Sequence, residues 1–112
     1  MRLGIPKEIK NREYRVSATP DCVRAYRRAG HEVVVQVGAG AGAGFDDEAY
    51  ERAGAELVAD AHSVYASAEM IVKVKEPLAD GAADRASLSL KALRVADARV
   101  SLAGTAKPLL TL

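Results

Sequence analysis

The chain has 112 residues, enough for one domain, and its 49% hydrophobic and 28% charged content is that of an ordinary water-soluble globular fold. A net charge of +1, a 4% aromatic share and no Trp argue against a nucleic-acid or anionic-lipid surface and against base-stacking platforms. Cys22 is the single cysteine, which excludes an internal disulfide and a cysteine-based zinc cluster.

The chain opens with "RLGIP", which reads as a strand, and "MRLGIPKEIK" lacks the apolar core of a signal peptide. No run is long and apolar enough to span a bilayer, so a cytoplasmic location and no membrane partner are expected. Next, "TPDCVRAYRRAG" predicts a helix with Thr19 as N-cap, Pro20 at its first position, Asp21 in its first turn and Gly30 beyond its end. Val23, Tyr26 and Ala29 form its expected buried stripe, with Arg24, Arg27 and Arg28 in solvent. "EVVVQV" is a near-continuous β-branched run, the pattern of a strand covered on both faces. "FDDEAYERAG" reads as a short helix ending at Gly54, "AELV" as a short strand, "DAHSVYASA" as a helix, and "EMIVKVKEP" as a strand stopped by Pro77. Strands alternating with helices imply an α/β fold, a parallel sheet with flanking helices. From Leu78 the composition changes. No aromatic residue, no His and no clean strand is visible there, and Leu90, Leu93, Ala96 and Val100 offer a thin helical stripe.

Between "EVVVQV" and the second helix stands "GAGAGAG", where Gly38, Gly40 and Ala43 fit the G-x-G-x-x-G/A spacing of a dinucleotide loop. Asp60 lies at about the distance of a ribose-binding carboxylate. The helix that follows, however, begins with Asp46, Asp47 and Glu48, and carboxylates there repel a pyrophosphate and satisfy the helix dipole themselves. A tight turn using glycine for positive φ is the favoured reading.

Strand alternation in "EMIVKVKEP" places Ile71, Lys73 and Lys75 on one face and Met70, Val72, Val74 and Glu76 on the other. Two ammonium groups at the C-terminal end of a parallel strand stand where open α/β sheets bind ligands, poised for an anion or carbonyl oxygen. Snorkelling lysines at a solvated strand end are the alternative. Arg15, next to Val16 and the capped helix, is better anchored than Arg12, and a held guanidinium can clamp a carboxylate bidentately; ordinary surface charge is the alternative. Lys7 and Glu8 read as solvent-facing or structural. His31 and His62 lack partners at ligand spacing, and Cys22 reads as core packing.

"MRLGIPKEIKNREYRVSATP", "AGHEVVVQVGAGAGAGFDDEAYERAGAEL" and "MIVKVKEP", with consistent spacing from Met1 to about Pro77, resemble the N-terminal part of the alanine dehydrogenase and nicotinamide nucleotide transhydrogenase family. "KVKEP" favours the dehydrogenase branch; a non-catalytic module of a transhydrogenase α subunit is the alternative. The resemblance implies a Rossmann-like substrate domain, incomplete here, of a cytoplasmic, NAD-dependent homohexamer that interconverts L-alanine with pyruvate and ammonia. It implies that Arg15 holds the substrate carboxylate and that Lys75 contacts carboxylate or carbonyl oxygen and polarises it. It also implies that the glycine loop belongs to the substrate domain, with the dinucleotide loop much later in the family's chain. The likeness fades at Leu78, and no "TYLHLA"-like strand with the family's acid–base histidine follows. The expectation is therefore a substrate-domain segment at 1–77 and a divergent tail at 78–112, frame-shifted or loosely packed. Such a chain would hold part of the substrate site, bind no NAD alone and catalyse nothing.

Overall fold

The computed structural model describes residues 1–75 in full and, of the remainder, the backbone of two strands at 99–102 and 105–111. Its elements in chain order are β1 (Arg2–Ile5), α1 (Pro20–Arg28), β2 (Glu32–Gln36), a 3-10 turn (Ala41–Ala43), α2 (Asp47–Arg52), β3 (Glu56–Val58), α3 (Ala61–Ser67), β4 (Met70–Lys73), β5 (Arg99–Leu102) and β6 (Thr105–Thr111). The strands form one sheet ordered β3-β2-β1-β4-β6-β5. Pairings from β3 to β6 are parallel, with registers such as Gly4 to Val34 and Gly4 to Ile71.

Local signals account for the helices. Thr19 has extended backbone angles and its side chain accepts from the Cys22 N–H at 3.2 Å, while Pro20 begins α1 where a missing N–H costs nothing. Asp46 and Asp60 cap α2 and α3 in the same way, accepting from Ala49 and Ser63 at 2.8 Å. α1 and α2 both end in a Schellman motif: His31 N–H donates to Tyr26 and Gly30 N–H to Arg27, and the same pair of bonds recurs at Ala55 and Gly54.

The central strands are buried on both faces, as the β-branched run predicts. One face packs Ile5, Val33, Val35 and Val72 against Val23 of α1 and Tyr50 of α2. The other packs Ile71 against Ala61, Val64 and Tyr65 of α3 and against its C-cap, Ala68. α3 comes so close to β1 that a Cβ at Gly4 would lie 2.7 Å from the Ala68 Cβ. In α1 the expected stripe is only partly right: Val23 is buried and Tyr26 half-buried, but Ala29 is exposed. Ala29 is the C-cap, where the chain already turns away from the sheet, and half-buried Cys22 completes the packed face instead.

Two differences concern the C-terminal third. β4 ends at Lys73, short of Pro77. Where no clean strand was expected, β6 pairs with β4, matching Ile71 to Leu109 and Lys73 to Thr111. β5 pairs antiparallel with β6, so the sheet is not wholly parallel and Val100 lies on a strand rather than a helix. Only two residues separate β5 from β6, a link that permits an antiparallel hairpin but not a parallel crossover. Leu90, Leu93, Ala96 and the proposed boundary at 77–78 lie outside the described residues.

Candidate functional site

The strand order reverses at β1: β2 and β3 lie on one side, β4 and β6 on the other. At such a switch point the loops leaving the C-terminal ends of neighbouring strands part and leave a crevice, the usual ligand position in open α/β sheets. The segment after β1 carries Lys7, Glu8, Glu13 and Arg15; the end of β4 carries Lys73 and Lys75. A groove of about 410 Å³ runs along this edge between the 7–15 segment and Ala39 and Gly42 of the glycine loop.

Glu8 and Lys73 form the base. The Lys73 ammonium lies 3.4 Å from a Glu8 carboxylate oxygen, and the two side chains are 1% and 2% exposed. The same carboxylate accepts the N–H groups of Val74 at 3.0 Å and Lys75 at 3.1 Å. Glu8 therefore fixes the backbone from which Lys75 projects. This corrects the expectation that Lys73 and Lys75 share a ligand-facing edge. Regular strand ends at Lys73, so alternation does not carry on to Lys75, and the Lys73 charge is committed internally while Lys75 is half-buried at the rim. For Glu8 the expected structural role is the one observed.

Arg15 stands across from this base. Its Nε and Nη2 donate to the two Glu13 oxygens at 2.8 and 2.7 Å, and its backbone N–H donates to Glu13 at 3.1 Å. The Arg15 side chain is nonetheless 66% exposed, whereas that of Glu13 is 7% exposed. The fork thus holds the guanidinium by one edge and leaves the Nη1 edge to solvent, an open position for a second carboxylate. The Arg15 hydrogen bonds, with a lesser attraction from Lys75, pull the Glu13 carboxyl down to about 2. Glu13 in turn raises the Arg15 pKa. Sequence reasoning missed Glu13, although its two-residue spacing from Arg15 was a usable signal.

The remaining candidates separate from this group. Arg12 is exposed, with φ of 62°. The Met1 amino group donates to His31 Nδ1 at 3.2 Å, and His62 is exposed on α3. Cys22 accepts from the Thr19 hydroxyl at 3.2 Å. Among the described residues no group of three or more His, Cys, Asp or Glu could hold a metal ion, and no helix is long and apolar enough to cross a membrane.

The glycine loop has partners within the fold. The Gly38 N–H, which would face a phosphate, donates to the Asp47 carboxylate at 2.8 Å. Asp60 is occupied as the α3 cap. Gly38 and Gly44 have φ of 80° and 89°, the conformational use of glycine that the turn reading expects. Tyr50, whose phenol burial pushes up to about 12, lies under Gly40 and donates to the Ala18 carbonyl at 2.7 Å.

The fold and edge together define a class: an α/β domain with an arginine and a lysine near the carboxyl ends of its strands. Residues 4–106 match the family described as "Alanine dehydrogenase/PNT, N-terminal domain", and the chain belongs to that family. It is 56% identical over 78 residues to alanine dehydrogenase of Bacillus subtilis, covering 70% of this chain and 20% of that protein. The enzyme of the same name from Mycobacterium tuberculosis is 51% identical over 79 residues, covering 70% and 21%. Among solved structures, an L-alanine dehydrogenase superposes with a TM-score of 0.67 at 52% identity, covering 70% of this chain and 21% of that one. A transhydrogenase from Sinorhizobium meliloti superposes at 0.63 with 36% identity, covering 70% and 23%. The chain thus spans about a fifth of the length of these relatives.

Proposed function

We propose that this chain carries the carboxylate-binding part of an L-alanine dehydrogenase substrate site, with Arg15 as the clamp and Lys75 as the polarising cation. The observation that supports this reading is the exposed guanidinium of Arg15, held along one edge by Glu13 and lining a cleft together with Val74, the residue before Lys75. In the reaction of the named relatives, one cation must fix the carboxylate of alanine or pyruvate while another stabilises negative charge on the carbonyl oxygen. Arg15 suits the first task because a planar guanidinium matches a carboxylate bidentately. Lys75 suits the second because its ammonium is a compact point charge, carried on a backbone that Glu8 holds.

Alanine oxidation moves a hydride to a nicotinamide cofactor. With the glycine loop closed by Asp47, the described residues supply no pyrophosphate cradle, and no step is assigned to NAD on this chain. The 112 residues bind substrate and do not turn it over alone; NAD use, a homohexamer and a cytoplasmic setting belong to this reading of the family. The test is a pyruvate titration followed by amide NMR. Saturable shifts at Arg15 and Lys75, abolished in Arg15→Ala, support the assignment. Shifts confined to other residues would remove it.

A further inference from the structure

The segment carrying Arg15 has no regular secondary structure. One turn steadies it, closed by the Glu13 N–H donating to the Lys10 carbonyl at 3.0 Å. The Tyr14 ring does not anchor it, being 67% exposed. What lies beneath is Gly42. A Cβ there would stand 2.9 Å from the Tyr14 carbonyl oxygen, 3.2 Å from its Cα and 3.3 Å from its Cβ. Gly42 is not among the positive-φ glycines, so it is glycine for space and not for conformation. The glycines of this loop therefore divide the work. Gly38 and Gly44 turn the chain, with nothing within 4 Å of an added Cβ; Gly40 makes room for Tyr50; Gly42 makes room for the backbone next to Arg15.

We propose that Gly42 is the seat of the arginine segment, a positioning residue that sets the height of Arg15 above the sheet edge. The proposal rests on the carboxylate-binding role of Arg15 only for its functional meaning; the geometry stands without it. The atoms met at Gly42 are main chain, so a methyl group cannot be accommodated by swinging a side-chain tip. The Tyr14 backbone must rise, and Arg15, the next residue, moves with it. Glu13 and Arg15 flank Tyr14, so the change in backbone angles at Tyr14 alters how the two side chains face each other and strains the fork closed at 2.7 and 2.8 Å.

The test is NMR on the intact chain. In the wild type, cross-peaks between the Gly42 and Tyr14 α-protons are required by this contact, and their absence overturns the proposal whatever any variant does. In Gly42→Ala, the Glu13 carboxyl titration should shift upward from about 2 toward the ordinary 4.5, and the Arg15 Nε–H resonance should move. By the same linkage the melting temperature at neutral pH should fall below the parent's, with the difference closing as the pH approaches 2. An unchanged Glu13 titration and Arg15 resonance in folded Gly42→Ala would refute the inference. Pyruvate binding, measured in parallel, separates the two ideas: a wild type that binds no pyruvate removes the substrate reading, while the Gly42–Tyr14 cross-peaks and the Glu13 and Arg15 signals of Gly42→Ala decide the seat.

Discussion

Replacing Glu8 with alanine removes the carboxylate that faces the Lys73 ammonium. At 3.4 Å and an effective dielectric of about 20, the attraction between them is about 5 kcal/mol. Desolvating two ions costs several kcal/mol each, so the intact pair contributes little net stability. Breaking it is another matter, because Lys73, 1% exposed, is then left charged and uncompensated at a cost of about 3–5 kcal/mol. The Val74 and Lys75 N–H groups lose their acceptor as well, at about 1–3 kcal/mol for each that water cannot reach. Against a total of about 5–15 kcal/mol for a small domain, Glu8→Ala should abolish most of the folded population. The double variant Glu8→Gln/Lys73→Met removes both charges and keeps an acceptor, so it should return to within about 1–2 kcal/mol of the parent. Urea unfolding followed by circular dichroism, at unchanged m, measures these proteins together with Glu8→Gln and Lys73→Met alone. A Glu8→Ala loss below about 1 kcal/mol, or additive effects of Glu8→Gln and Lys73→Met in the double variant, would refute a buried coupled pair.

Gly40→Ala should cost about 1–3 kcal/mol, because its methyl group would lie 2.5 Å from the Tyr50 ring; a melting temperature equal to the parent's would contradict that packing. Acid should weaken the fold between about pH 4.5 and 2. Glu13 titrates near 2 when folded and near 4.5 when unfolded, so the unfolded chain takes up its proton first as pH falls, and Glu13→Gln should flatten that part of the stability profile. Alkali should weaken it between about pH 10 and 12, since the phenol of Tyr50 ionises more readily unfolded than folded. Tyr50→Phe should remove that slope while costing about 1–3 kcal/mol for the unpaired Ala18 carbonyl, both readable from urea titrations across pH.

Much of the fold is legible in short stretches because the forces that set it are local. Thr19-Pro20 and Gly30 bracket α1, Gly54 closes α2, and the run Val33–Val35 reads as a strand buried on both sides. Side-chain destinations that depend on distant partners are not legible. Lys73 looks like a rim cation until Glu8, 65 positions earlier, is placed against it. The four glycines of "GAGAGAG" look alike in sequence, yet Asp47, Tyr50 and Tyr14 give three of them separate tasks. The resemblance pointed to the family whose model matches, whereas the pairing of β6 with β4 is non-local and the weak pattern after Leu78 does not announce it.

In the proposed site Arg15 and Lys75 act together on one small carboxylate. The direct measurement is a pyruvate titration of the wild type, Arg15→Ala and Lys75→Ala, followed through backbone amides. Binding in the millimolar range, with shifts centred on Arg15 and Lys75 and an affinity loss of about tenfold or more in each variant, is predicted, since a charged hydrogen bond contributes about 1.5–3 kcal/mol. Pyruvate binding that survives both substitutions, or shifts centred on Gly38–Asp47 instead, would contradict it.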